Sequence, residues 1–267
     1  MTADLTDVDA RLEWANEHIT QLQSRYPTFR ELKPHEIIVK PNPDQAADHF
    51  ALCLKINEPA ATEVIREIAL RTGDIVHSLR ASLDYLAYAV VPNHTTDTAF
   101  PVWRSDKTPI PTPAQYKSCV LGKVKGAPGD FIKLCLGLQP YFGGTHEPIR
   151  ILDYLDIVDK HRLVIGTFAS HERVNLDIAG MLRGLSGMHG DLPEMRIGLI
   201  PDERGPLADG DVLFSAPLDH INKVDAKPEI EIALREPKPF AGRSVVPALT
   251  ELSQFVSDLI DQFRRVL

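Results

Sequence analysis

Residues 73–88 read GDIVHSLRASLDYLAY, and the patterning of this stretch decides how the rest of the chain is organised. At 100° per residue, Ile75, Val76, Leu79, Leu83, Leu86 and Val90 form one apolar stripe of a helix. Asp74, His77, Arg80, Asp84 and Tyr88 form a second stripe on the opposite side. A face washed by water carries Lys, Glu and Gln, yet no Lys or Glu occurs between Ile68 and Asp106. A polar stripe restricted to His, Arg, Asp and Tyr predicts a helix covered on both sides, with a paired polar network along one of them.

Pro59 opens this helix at a position proline tolerates, and Pro92 ends it. Gly73 marks either a kink or a close approach by another backbone. Upstream, Glu36–Lys40 and Phe50–Ile56 predict a hairpin, with Phe50, Leu52, Leu54 and Ile56 on one face of the second strand. At the chain's ends two helices carry matching seams. Leu5, Val8, Leu12, Ala15, Ile19 and Leu22 step by three and four, as do Val245, Leu249, Leu252, Val256, Leu259, Phe263 and Val266. Their simplest use is to pack on each other; the alternative is that one seam makes a homodimer.

Residues 93–129 carry Pro101, Pro109, Pro111, Pro113 and Pro128 and read as an irregular stretch with a short helix near Gln115–Val120. Loops of that length inside compact domains serve as lids or covers. Helices follow at Asp130–Leu138 and Glu147–Lys160. Strands then follow at Leu163–Phe168, Val174–Ala179, Met195–Ile200, Asp211–Ser215 and Glu229–Arg235. The expectation is a single α+β domain over residues 1–267. A mostly antiparallel sheet packs against a helical layer formed by the N-terminal, central and C-terminal helices.

A hydrophobic content of 43% and a charged content of 25% belong to an ordinary globular chain. The net charge of −8 disfavours nucleic acid as a partner, because that binding rests on a basic surface. No apolar run reaches the ~18 residues of a membrane span. The N-terminal MTADLTDVDARLEW has no apolar core of a signal peptide, and Cys53, Cys119 and Cys135 read as reduced thiols in a cytoplasmic protein. They have no CxxC spacing, and no HxxxH or HExxH pair occurs, so no metal is assigned; the residues name no cofactor.

The second polar constellation is Asp153–Arg162, DYLDIVDKHR. Asp153, Asp156 and Lys160 share a polar face, with Asp156 expected at the surface, while Ile151, Leu155 and Val158 face the core. His161 and Arg162 close the helix, where cations complement its dipole. They can instead lean inward to meet Asp74 or Asp84, gathering two His, two Arg and several Asp. Histidines with a carboxylate perform acid–base chemistry, and arginines hold phosphates or carboxylates. The same residues can equally form a structural ion network that sets helix register.

The pairing of these two motifs resembles a recurring bacterial family of uncharacterised proteins with a GD-x-x-H-x-L-R-x-x-L-D-x-L helix, an aromatic-proline region and D-K-H-R. The resemblance spans about residues 60–168. It implies that Gly73, Asp74, His77, Arg80, Asp84, Asp159, Lys160, His161 and Arg162 act together. A second similarity is to the HEPN group of helical ribonucleases, whose signature is Arg followed by His after four to six residues. Arg71 and His77 meet that spacing, whereas Arg80 is followed by Tyr85, and the β-rich second half departs from an all-helical domain.

The resulting expectation is an enzyme or binding protein for an anionic small molecule or phosphoester. His77, Arg80, Asp84 and His161 are the candidates for chemistry, and Asp74, Tyr88, Asp159 and Arg162 for ligand binding. The alternatives are a non-catalytic interaction protein, accessory or defence-related, in which the network is structural, and a HEPN-like ribonuclease.

Overall fold

A computed structural model describes residues 3–33, 35–41, 49–105, 107–162, 167–177, 196–199, 208–217, 225–235, 237 and 240–267. In chain order the elements are α1 (Thr6–Glu31), β1 (His35–Pro41), β2 (His49–Ile56), α2 (Glu58–Val90), α3 (Pro113–Lys123), α4 (Gly129–Gly137) and α5 (Glu147–Arg162). Then come β3 (Thr167–Asp177), β4 (Arg196–Leu199), β5 (Val212–Pro217), β6 (Asp225–Leu234) and α6 (Val245–Arg264). The fold is α+β, with antiparallel strands and a helical layer that includes the N-terminal, central and C-terminal helices. Contacts divide the chain into two compact units: residues 1–24, 69–166 and 235–267, and residues 25–68 and 167–234.

The helical unit forms around α2. Every member of the predicted apolar stripe is buried, from Ile75 to Val90. Thr72, Ser78 and Ser82 are buried with it as small packing residues, and Ser82 Oγ satisfies itself on Leu79 O at 2.7 Å. The helix runs unbroken through Gly73. From α6, Phe263 packs its ring against Phe100 and Phe131, with centroids 5.6 and 4.7 Å away. The short α3 starts where Thr112 and Gln115 bond each other's backbone N–H groups, ahead of Pro113 in the first turn.

The terminal seams meet inside this unit. Val8, Ala15, Ile19 and Leu22 are buried on α1, as are Val245, Leu249, Leu252, Val256, Leu259 and Phe263 on α6. Ser253 Oγ donates to Asn16 Oδ1 at 2.6 Å, and Arg264 pairs with Asp9. Numbers rising along α1 pair with numbers falling along α6, so the two helices run antiparallel. The N-terminal helix continues past Leu22, the last residue of its seam, through Pro27, to Glu31. It ends where Lys33 takes a left-handed φ of 46°.

The second unit holds two three-stranded antiparallel sheets, β1-β2-β5 and β4-β3-β6. The hairpin pairs Ile37 with Leu54. A strand from the second half, β5, completes this sheet by pairing Leu52 with Phe214. β2 is therefore central, and Ala51, Leu52, Cys53 and Leu54 are all buried instead of alternating. The turn before β5 is tied to its neighbour: Gly210 N donates to Leu54 O at 2.8 Å, with Gly210 at a φ of 89° that favours glycine. Two strands expected at Leu163–Phe168 and Val174–Ala179 are parts of one, β3, whose register shifts between Ser170 and Arg173. Residues 163–166, 178–179, 195 and 200 of the expected strands lie outside the described residues.

Leu259→Ala should lower stability by about 2–5 kcal/mol in urea unfolding, because the site is enclosed. Val266→Ala, at the exposed end of the same helix, should stay within about 0.5 kcal/mol. An unchanged urea midpoint together with a halved mass in sedimentation would place the α6 seam at a subunit interface instead.

Candidate functional site

Within the helical unit, α2 and α5 lie antiparallel and touch at three successive levels. Gly73 faces Asp159, His77 faces Asp156, and Arg80 faces Asp153. Steps of four and three along α2, and of three and three along α5, keep the facing residues on one stripe, about one turn apart. At the first level a Cβ on residue 73 would overlap the Asp159 carboxylate, so any larger residue there requires that carboxylate to move. The close approach anticipated at Gly73 is thus to a side chain instead of a backbone, and no kink is needed.

The deepest level is closed. Arg80, 3% exposed, donates from Nε to Asp153 Oδ1 at 3.1 Å, from Nη1 to Asp84 Oδ1 at 2.7 Å and from Nη2 to Phe100 O at 3.2 Å. Asp84 Oδ1 also accepts from Phe100 N at 2.8 Å, so the loop after α2 is held by its main chain. Asp153 has no exposure, and Arg104 grips it with two bonds, Nε to Oδ2 at 2.8 Å and Nη2 to Oδ1 at 2.5 Å. Burial works against the Asp153 charge. The bonds and charges of Arg104 and Arg80 outweigh burial and hold its carboxyl below the usual range. The buried Arg150 stacks over the Phe142 ring at 4.7 Å, with Nη1 3.8 Å from Asp153 Oδ2.

The middle level is open on one side. His77 Nδ1 lies 3.0 Å from Asp156 Oδ1, and Lys160 Nζ donates to Asp156 Oδ2 at 2.6 Å. Asp156 is buried, whereas the His77 side chain is 48% exposed. A carboxylate bound at Nδ1 fixes the proton there and leaves Nε2 as the acceptor of the neutral ring. At the first level burial, followed by the charges of Asp74 and Asp156, pushes the Asp159 carboxyl up. Among the described residues, no three His, Cys, Asp or Glu side chains converge as a metal site requires.

The site residues expected from sequence therefore separate. His77, Arg80 and Asp84 join the ladder. Asp74 is exposed beside Asp159, and Tyr88 is exposed with its ring 3.7 Å from that of His94. His161 and Arg162 end α5, and their side chains lie outside the described residues. The burial expectations reverse in both directions. Of the α2 polar stripe expected to be covered, Arg80 is enclosed but Asp74, His77 and Tyr88 are exposed and Asp84 is 37% exposed, whereas Asp156, expected at the surface, is buried along with Asp153. Ile149, Ile151, Leu152, Leu155 and Val158 are buried as well, so α5 is enclosed around most of its circumference. A helical wheel separates polar from apolar faces but does not say whether water or an arginine covers the polar one.

Arg104 was missed because it lies in the proline-rich loop. Its signal is that the window free of Lys and Glu extends to residue 106 and holds just three cations, Arg71, Arg80 and Arg104. Arg71 and His77 sit six positions apart on an unbroken helix, which turns their side chains about 120° from each other.

In comparisons with known proteins, no family model, curated protein sequence or solved structure matches this chain.

Asp153→Ala should cost about 3–5 kcal/mol in denaturant melts, because it removes a carboxylate from the buried Arg80. Asp84→Ala should cost less, since water reaches that position. The stabilising contribution of Asp153 is present above its unfolded pKa and is lost as pH falls through its lower folded value. Asp159 has the opposite sign: its raised folded pKa favours folding when protonated, and this is lost as pH rises through that value. Asp159→Asn should therefore raise stability at neutral pH and change it little in acid, as melts across pH would record. In a double-mutant cycle Gly73→Ala should destabilise alone and be rescued by Asp159→Ala. An additive cycle would show that the two positions do not meet.

Proposed function

We propose that the exposed edge of the α2–α5 ladder is an acid–base site for a small anionic molecule or phosphoester, with His77 as the general base and Asp156 as the residue that orients it. The observation that carries this reading is the His77–Asp156 contact at 3.0 Å, which joins a half-exposed imidazole to a buried carboxylate. Burial fixes the carboxylate, the carboxylate fixes the ring, and the ring meets solvent. Lys160 holds the second oxygen of Asp156 and so fixes the plane of the carboxylate. The unpaired state of Cys53, Cys119 and Cys135 is consistent with a cytoplasmic setting. Among the described residues, no helix is long and apolar enough to cross a membrane.

A second reading, a non-catalytic interaction protein, is favoured by the closed Arg80–Asp153 level and by exposed aromatics. Trp14, Tyr85 and Tyr88 are exposed on α1 and α2, and Arg11 Nη2 donates to Tyr85 Oη at 3.2 Å. In that reading the ladder is purely architectural.

Hydrolysis of p-nitrophenyl phosphate and bis(p-nitrophenyl) phosphate separates the two. The first reading expects turnover that falls about 100-fold or more in His77→Asn and in Asp156→Asn. Circular dichroism melts would confirm that both variants stay folded. Wild type that turns over neither ester, and gains no thermal stability from phosphoesters, would sink the first reading and leave the second.

A further inference from the structure

We infer that Arg104 is the oxyanion anchor of the His77 site, receiving a carboxylate or phosphate oxygen on the part of its guanidinium that Asp153 leaves open. The inference rests on the reading of His77 and Asp156 as the reacting pair and adds the group that holds the ligand. Arg80 is the arginine that sequence would choose, but it is enclosed and each of its three nitrogens is committed to the protein. Arg104 differs in each respect. Its side chain is 53% exposed, its Nε and Nη2 are spent on one carboxylate, and its Nη1 makes no hydrogen bond among the described residues.

Two further features suit it to this task. Arg80 bonds to both Asp153 and Asp84, whereas Arg104 bonds to Asp153 alone, so donor capacity is left on the solvent side of Arg104. The two-pronged grip on an enclosed carboxylate also fixes the guanidinium plane before any ligand arrives, which reduces the ordering that binding would require. The position is right for His77. Asp153 and Asp156 are one turn apart on α5, about 5–6 Å between Cβ atoms, so their partners Arg104 and His77 are neighbours along the ladder. The charge of Asp156 reaches Arg104 as well. An oxyanion seated on Nη1 places the rest of a small ligand beside the imidazole.

The test uses inorganic phosphate and acetate as probes in calorimetric titration of the full chain. At least one of them should bind the wild type, and the tighter of the two identifies the oxyanion. Arg104→Lys should weaken that binding about ten-fold or more despite its retained charge, because an ammonium cannot grip Asp153 at two points and still present a fixed donor to the ligand. His77→Asn should bind the same probe within about two-fold of wild type, since the anchor is untouched. Because Arg104→Lys also disturbs Asp153, a second measurement is made on the wild type: the Arg104 Nε–H resonance should move as the probe is added. Wild-type affinity in Arg104→Lys, a stationary Arg104 resonance, or no binding of either oxyanion overturns the anchor. Probe binding at Arg104 together with undiminished ester turnover in His77→Asn removes the role of His77 and leaves the anchor standing.

Discussion

A carboxylate cut off from water must find its hydrogen bonds within the protein or surrender its charge, and Asp153 is in that position. It keeps the charge because Arg80 and Arg104 reach it from two different elements. Arg80 in turn needs Asp84 and the Phe100 carbonyl to complete its own set. The requirement thus passes from one side chain to the next until α2, α5 and the loop through Phe100 and Arg104 are joined. Phe100, so held, presents its ring to Phe263 of α6, which ties the polar network to the apolar core. Such a network specifies register more than it adds stability, because desolvation offsets much of the attraction.

The three levels of the ladder differ in their access to water, and that difference sets which of them a solute can reach. At Arg80–Asp153 both partners are enclosed, so neither has a free valence for a ligand. At His77–Asp156 the carboxylate is enclosed and the imidazole is open, which is the asymmetry a proton-transfer group needs. At Gly73–Asp159 the absence of a side chain on one helix lets the other come close, and the acid there pays in a raised pKa. Arg104 belongs to the deepest level, yet its side chain is about half exposed beyond its grip on Asp153.

The helices were legible because their periodicity is strong and long. The apolar stripe of α2 and both terminal seams lie where the steps of three and four put them. The strands were legible as segments but not as partners. β5 pairs with β2 across more than a hundred intervening residues, and nothing in its own alternation names that neighbour. β3 was divided in two because the mixed residues at its middle, Ser170 to Arg173, interrupt the alternation where its register shifts.

By itself the sequence determined that α2 has two faces and that the polar face excludes Lys and Glu. Those are properties of local spacing, which a chain carries before it folds. Tertiary structure alone decided which carboxylates are enclosed. It buried Asp153 and Asp156, left Asp84 half open, and brought Arg104 in from a loop of no regular period. Burial depends on what covers a face, and the cover here comes from chain segments many residues away. The residue types were therefore written locally, while the division between an enclosed ion pair and an exposed imidazole was settled by packing.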